Sequence, residues 1–513
     1  MSSSLIAALR SDLDHSLFTV SHLSGAGAWG AAGGAALFRG ERIAARRALE
    51  SRSPAGERER ASDTLARLFV LGYPQDRDDV EAALPRLGLA GAFELDLLDV
   101  DGDVVRPLVD LRPYSFVDSA GEANWWIASD LGELALQGPL REDHVLGIGG
   151  ASTTLSGLMI PRRVDRVLDL GTGSGIQALH AARHAREVVA TDISERALAF
   201  ARLNAELNLI DGIDFRLGSL FEPVRGETFD HIVSNPPFVI TPRVEGVPAY
   251  EYRDGGMVGD ALVATVVAGC AEHLAPGGVA QLLGNWETGR DGRRGAYSVA
   301  DWVRRGARPL DVWVVEREVQ DAPTYAETWI RDGGTRPGSP DFERLYEAWL
   351  DDFEARGITE VGFGYITLRR PTSADAAAVE RIERLTGALG GSEVGLGPHL
   401  ADTLDALDRL RDLGDDQLAA QTLRVAGDVT EQRHYWPGND DPTVIELRQG
   451  GGFARTVPSG TALSGLVGAC DGELSVGAIV GALAELLEVD EADLRAELLP
   501  QVRELVTTGI LRF

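Results

Sequence analysis

The chain has no lysine at all: its 49 basic residues are arginine throughout, beside abundant alanine and glycine. That pattern reads as the codon bias of a GC-rich genome and carries no mechanism. Cysteine is nearly absent as well. Cys270 and Cys470 are too few for a disulfide framework, and neither sits in a metal-ligand spacing, so no metal site is expected. Long apolar runs are also missing. None approaches the roughly 18–20 residues that span a bilayer. The opening "MSSSLIAALRSD" reaches Asp12 before a secretory core can form. The expectation is a cytoplasmic protein with no membrane partner. Positive charge, finally, is in short supply. The formal net charge is −30, and a field of that sign repels long nucleic acids, because a protein that follows a phosphate backbone presents a basic face. This counts against an RNA substrate without excluding a local arginine patch, and duplex DNA is not an expected partner.

What is present is an ordinary globular composition, 44% hydrophobic and 25% charged over 513 residues, enough for about two to four domains. Residues 1–144 open with Leu5, Leu9, Leu13, Leu17 and Val20 at helical spacing. A charged helix, a Ser-Pro-Ala-Gly break and a second helix follow, then strands in "FELDLLDVDGDVVRPLVDLRPYSF" with Asp101-Gly102 as the turn. This reads as an α+β recognition domain without a catalytic constellation. Residues 145–370 alternate strand and helix: "VDRVLDL", "IQALHAARHA", "EVVATD", "ERALAFARLNAELN", "FDHIVSN", "ALVATVVAGCAEHL", "VAQLLGNW". Such alternation predicts an α/β domain with a doubly wound, mainly parallel, Rossmann-like sheet. Within it, Phe342, Leu345, Tyr346, Trp349, Leu350 and Phe353 form an amphipathic stripe, expected to be an inserted helix covering the sheet or the site. Residues 371–513 turn acidic, 24 Asp and Glu against 11 Arg, and end in a helix–turn–helix–strand run with a winged-helix-like pattern. Its second helix carries Glu491, Asp493, Glu497 and Glu504 against Arg495 and Arg503. That balance suits packing or a protein partner, not DNA.

The chemistry concentrates in two stretches. "VLDLGTGSG" puts Gly171, Gly173 and Gly175 directly after a strand, where small residues let the backbone approach a ligand. The spacing is G-x-G-x-G, with Asp169 before it and Ile176 where a nicotinamide fingerprint would need glycine. Asp192 ends the next strand, where a carboxylate can hold both ribose hydroxyls of a nucleoside. Sixty residues beyond Gly175, "FDHIVSNPPFVITP" ends a buried strand with Asn235 and then two prolines, which have no N–H to continue a ladder and hold the chain extended.

Together "VLDLGTGSG…TDIS…NPPF" resembles the class I S-adenosylmethionine-dependent methyltransferases, in the branch that methylates planar nitrogen. The resemblance covers about residues 145–290, with the sheet running on to 370. It implies S-adenosylmethionine as cofactor, with Asp169, Gly171, Thr172, Gly173 and Gly175 around the methionine end. It also implies Asp192 and Ile193 at the ribose, and Ser219 and Leu220 bordering adenine. "GSLFEP" carries Ser219 where the family usually has an acid. "GGASTTL" sits where the family places residues near the methionine end.

The resemblance also gives the second motif its role. A planar amide or exocyclic amine attacks a methyl sulfonium poorly, because its lone pair is delocalised. A site can correct this by accepting hydrogen bonds from both N–H groups, which orients the nitrogen and draws it toward sp³. Asn235 supplies a side-chain carbonyl, which also borders the cofactor, and Pro236 a backbone carbonyl aimed by the stiff Pro236-Pro237 unit. Phe238 offers a flat face for stacking. These four are the expected catalytic residues. "NPPFVITPRVEG…YEYRDGGMVGDAL" further resembles the release-factor glutamine N5-methyltransferases, in their archaeal and eukaryotic branch. That makes a protein glutamine, on a translation factor for example, the leading acceptor. Ribosomal RNA N-methyltransferases share NPPF, so an RNA base is the alternative, and a non-catalytic cofactor-binding scaffold the reading of another class.

Overall fold

The computed structural model describes residues 2–24, 27–52, 56–136, 140–292, 294–373 and 378–513. It divides into two compact units, Met1–Ser156 with Arg163–Arg384, and Gly157–Arg162 with Leu385–Phe513.

An eight-stranded sheet forms the centre of the first unit. Its strands are β1 (Val164–Leu170), β2 (Ala185–Asp192), β3 (Ile213–Leu217), β4 (Phe229–Ser234), β5 (Leu274–Gly289), β6 (Asp311–Asp321), β7 (Ile358–Arg369) and β8 (Glu380–Arg384). They lie in the order β3-β2-β1-β4-β5-β7-β6-β8. All neighbours from β3 to β5 are parallel. β7 is antiparallel to both β5 and β6, and β8 is parallel to β6. Central strands of such a sheet are covered on both faces and read as continuous apolar runs. Val167, Leu168 and Leu170 of β1 and Ile232 and Val233 of β4 are accordingly buried. β8 lies past residue 370, where the sequence reading ended the domain. Its "ERIER" has no apolar run, because as an edge strand it packs only Ile382 against the core. The helix expected over "IQALHAARHA" is also shorter than its pattern: it covers Ile176–Ala181, and β2 starts at Ala185.

Residues ahead of the sheet build helices Ser3–His15, Gly30–Phe38, Ile43–Ser51 and Glu57–Leu65. Of the break expected at Ser53-Pro54-Ala55-Gly56, residues 53–55 lie outside the described residues, and Gly56 stands just before the helix Glu57–Leu65. A short hairpin, Leu98–Asp101 with Val104–Pro107, turns at Asp101-Gly102 as expected, and Gly102 takes the φ of +63° that this turn requires. A longer hairpin, Val109–Asp118 with Gly121–Asp130, packs Trp125 and Ile127 onto Ile176, Leu179 and Ala205 of the sheet's helical layer.

The amphipathic stripe is a helix, Pro340–Ala355, capped by the Ser339 hydroxyl accepting from the Phe342 N–H. Its buried Phe342, Leu345, Trp349 and Phe353 meet Val239, Ile240 and Tyr325, so it backs the segment that follows β4.

The second unit has its own core, including Leu418, Leu423, Leu466, Val480, Leu498 and Val502. Its last residues follow the expected run: helices Val476–Leu487 and Glu491–Thr507, then strand Leu511–Arg512, which joins Thr422–Val425 and Asp471–Ser475 in an antiparallel sheet. Among the described residues no helix is long and apolar enough to cross a membrane. None of them form a group of three or more His, Cys, Asp or Glu fit to hold a metal ion.

Candidate active site

The strand order reverses between β1 and β4, and in an open α/β sheet the crevice beyond the strand ends at such a reversal is where ligands bind. The glycine-rich turn follows β1 and the Asn-Pro-Pro turn follows β4, so the sheet brings the two motifs side by side. The Ser234 hydroxyl fixes their separation by donating to the Leu170 carbonyl at 2.7 Å. Between them lies a cavity of about 560 Å³.

The glycine turn is held by its backbone. Gly171 and Thr172 N–H groups both donate to the Thr191 carbonyl at 2.9 Å, which hangs the turn from the end of β2. Gly171 and Gly173 take φ of +74° and +56°, and a Cβ at either would meet nothing within 4 Å. Their need for glycine is therefore conformational. Gly171, Thr172 and Gly173 line the cavity. Gly175 does not. It stands at φ +89° before the helix Ile176–Ala181, where an added Cβ would come 2.9 Å from the Ala201 Cβ. The third glycine thus serves close helix packing and not, as expected from the sequence, ligand contact.

Asp169 also departs from expectation. It is 1% exposed and lies behind the turn, off the cavity wall, accepting from the Thr172 hydroxyl at 2.5 Å. Burial pushes its carboxyl up to about 7, opposed only in part by Thr172 and the Ala178 N–H. Asp192 is on the wall. Its Oδ2 accepts from the Gly173 N–H and its Oδ1 from the Ser194 N–H, both at 2.9 Å. Each oxygen keeps a further lone pair for a ligand hydroxyl. Burial raises its pKa, and the Ser194, Gly173 and Ile193 N–H groups counter that. Ile193, Ser219 and Leu220 complete this side, with Leu220 held at φ +48°.

On the opposite side Asn235, Pro236 and Pro237 line the cavity. The Asn235 Oδ1 is buried and has no hydrogen-bond partner within the protein, an arrangement that costs about 1–3 kcal/mol unless a ligand donates to it. Asn285 on β5, absent from the sequence reading, fixes the turn: its Nδ2 donates to the Phe238 carbonyl at 2.6 Å. The buried Tyr325 hydroxyl accepts from the Ile240 N–H at 2.9 Å. The Phe238 ring, expected to stack on an acceptor, is off the cavity wall. It stands edge-on to Trp329 and Phe363, centroids 6.3 and 6.5 Å away, because those rings offer an apolar cluster that the open crevice does not. Tyr252 and His144 are aromatic residues on the wall. Burial and nearby Asp332 push the Tyr252 phenol pKa up, so it stays neutral. Its ring meets that of His144 edge-on at 5.4 Å, and burial lowers the His144 pKa. Tyr252 falls in the quoted "YEYRDGG" segment, but nothing in the spacing marks it.

The residues present suit a nucleoside carrying an amino-acid tail. There is a backbone cradle under one end, a carboxylate with free lone pairs for hydroxyls, an apolar wall at Ile193 and Leu220, and an unpaired amide oxygen beyond.

Parts of the chain are similar to known proteins. Residues 149–290 match the family model of the methyltransferase small domain, and residues 16–108 match a domain of unknown function (DUF7059). A release factor glutamine methyltransferase from Xylella fastidiosa is 41% identical over 135 residues, covering 24% of this chain and 48% of the relative. A ribosomal protein uL3 glutamine methyltransferase from Bradyrhizobium diazoefficiens is 36% identical over 151 residues, 28% of this chain and 46% of the relative. The chain thus spans about half the length of the curated relatives it matches. Among solved structures, the YcgJ protein of Bacillus subtilis is 15% identical, with a TM-score of 0.30 over 44% of this chain and 99% of that one. Residues 149–290 are a methyltransferase small domain, distantly homologous to the glutamine methyltransferases.

Proposed function

We propose that this protein is an S-adenosylmethionine-dependent N-methyltransferase whose acceptor is the side-chain amide of a protein glutamine. The observation that carries the reading is the buried, unpartnered Asn235 Oδ1 on the wall of a cavity that also holds the glycine turn and Asp192. The bound cofactor supplies an electrophilic methyl group on a sulfonium. Everything else falls to the chain. Gly171, Thr172 and Gly173 carry the methionine end, Asp192 accepts from the ribose hydroxyls, and Ile193, Ser219 and Leu220 border the base. Asn235 Oδ1 and the Pro236 carbonyl accept the two N–H groups of the glutamine amide, which orients its nitrogen and raises its basicity as the new N–C bond forms. The product nitrogen then loses a proton to water, so no strong base is needed. Asp169, buried behind the turn, positions the turn and does not touch the acceptor. Tyr252 replaces Phe238 as the ring against which the planar amide rests.

The named relatives act on a release factor and on ribosomal protein uL3, which supports a partner from the translation apparatus. We assign recognition of that protein to residues 1–144 and to the acidic, winged-helix-like residues 371–513, with the catalytic domain between them and the cytoplasm as the compartment. The test is transfer of a labelled methyl from S-adenosylmethionine by the purified full chain into a cell extract. Label that protease removes and nuclease leaves is the expected result. Label released by nuclease would replace glutamine with an RNA base, and no transfer would leave a scaffold.

A further inference from the structure

Gln177, in the first turn of the helix after the glycine turn, is 3% exposed and lines the cavity. Its Nε2 donates to the Ser152 carbonyl at 2.8 Å. A backbone carbonyl only accepts, so this bond fixes which end of the amide is nitrogen. The other end, Oε1, is buried and without a partner in the protein. The cavity lining thus carries two orphaned amide oxygens: that of Asn235 after β4, and that of Gln177 directly after the glycine turn. Asn235 has a role in the reaction proposed above. Gln177 has none.

An oriented, desolvated carbonyl oxygen calls for a hydrogen-bond donor and repels an anion. The neighbouring groups narrow the choice. Ser152, which holds Gln177, belongs to the segment preceding β1, and Gly171 and Gly173 immediately precede Gln177's helix and line the same cavity. A ligand tail resting on that turn meets Oε1 with whatever donor it carries. The tail of S-adenosylmethionine bears one strong donor, its α-ammonium. We propose that Gln177 is the receptor for that ammonium, held in register by Ser152, and so selects a cofactor with a free amino group. The proposal rests on the cofactor reading above.

The test is calorimetric binding by the full chain, with no acceptor present, of S-adenosylhomocysteine and of its deaminated counterpart, which lacks only the amino group. Gln177→Met keeps the length of the side chain and removes the acceptor. It should weaken S-adenosylhomocysteine about 10- to 100-fold, the range for a charge-assisted hydrogen bond, and leave the deaminated ligand within about twofold of wild type by the same reasoning. Gln177→Glu, which offers a charged acceptor, should recover most of the preference for the amino ligand. Equal weakening of both ligands by Gln177→Met, with an unchanged melting temperature, would overturn the role of Gln177 alone. A wild-type chain that binds neither ligand would overturn the cofactor reading itself.

Discussion

Asn204 and Asn208, one helical turn apart on the helix Glu195–Leu207 and its cap, present their side-chain amides to Ala128 and Trp126, two residues apart on the free edge of the hairpin strand Gly121–Asp130. Asn204 Oδ1 accepts from the Ala128 N–H at 2.7 Å, and its Nδ2 donates to the Ala128 carbonyl at 2.9 Å. Asn208 repeats the pattern on Trp126 at 2.9 and 2.8 Å. The match is geometric. Four residues of helix rise about 6 Å and two residues of strand about 6.7 Å, so two amides stand in for a missing neighbouring strand. The Asn204 Nδ2 also donates to the Ser174 carbonyl at 2.8 Å, which ties the glycine turn to the N-terminal hairpin.

Asn204→Ala should therefore destabilise the protein by about 2–4 kcal/mol, because it strands an N–H and two carbonyls in a fully buried place. Asn208→Ala should cost only about 1 kcal/mol, since Asn208 is half-buried where Asn204 is fully buried. Urea midpoints of the two variants check the order. Equal losses would mean that the amides merely fill space.

Neither asparagine was legible in the sequence, and the reason is physical. Within "ERALAFARLNAELN" they read as indifferent helix residues, because the edge they serve lies about 80 residues earlier in the chain. The sheet was legible for the opposite reason: buried parallel strands need apolar runs, and their glycine and proline punctuation is local. β8 was missed because an edge strand that packs one apolar residue needs no such run. At the site, Asp192, Asn235, Gly171 and Gly173 were named from their strand-end positions, and the fold brings all four to one cavity. Asp169, Gly175 and Phe238 were given to the ligand, whereas each serves the packing of the turn behind it, a distinction that spacing alone does not carry. Gln177, Asn285 and Tyr252 depend on which way a side chain points, which one sequence does not reveal.

Asp192→Ala should weaken S-adenosylmethionine binding by about 100-fold or more, from the lost charge-assisted contacts. The geometry adds a second effect, because the Gly173 and Ser194 N–H groups lose their acceptor. Asp192→Asn keeps an acceptor for one of them and should fall between wild type and Ala. Titration calorimetry decides it, and an unchanged affinity in the Ala variant would remove the cofactor assignment.

Asp169 supplies a pH signature. Its carboxyl ionises near the usual value in the unfolded chain and at about 7 in the folded one. Below about pH 4 both states hold the proton, and the native state is not penalised. As pH rises toward 7 the unfolded chain releases its proton first, so folding stability falls by up to about 1.4 kcal/mol per pH unit, then levels off above 7. Asp169→Asn keeps the shape without a titrating group. Its melting temperature should exceed that of wild type by a margin that grows from pH 5 to pH 7.5. A margin that does not change with pH would show that Asp169 is already ionised in the native protein.

Asn235→Ala is the sharpest test of the reaction. In the proposed reaction the Asn235 oxygen accepts from the acceptor nitrogen and not from the cofactor, so ground-state affinity for the cofactor has little reason to change. Its hydrogen bond strengthens as that nitrogen gains positive charge, which makes it a transition-state contact expressed mainly in kcat. Losing one preorganised contact of this kind costs about 3–4 kcal/mol, a factor of roughly 10²–10³. The fold should survive, because Asn235 Oδ1 has no partner in the protein to lose and the Asn285 and Tyr325 bonds to the turn remain. Removing an unsatisfied buried acceptor should even raise the melting temperature slightly. Asn235→Asp keeps an acceptor and adds a charge, so some turnover should persist. Single-turnover methyl transfer measured alongside calorimetry separates the outcomes. Near-normal turnover in the Ala variant, or loss of cofactor binding together with activity, would refute the role given to Asn235.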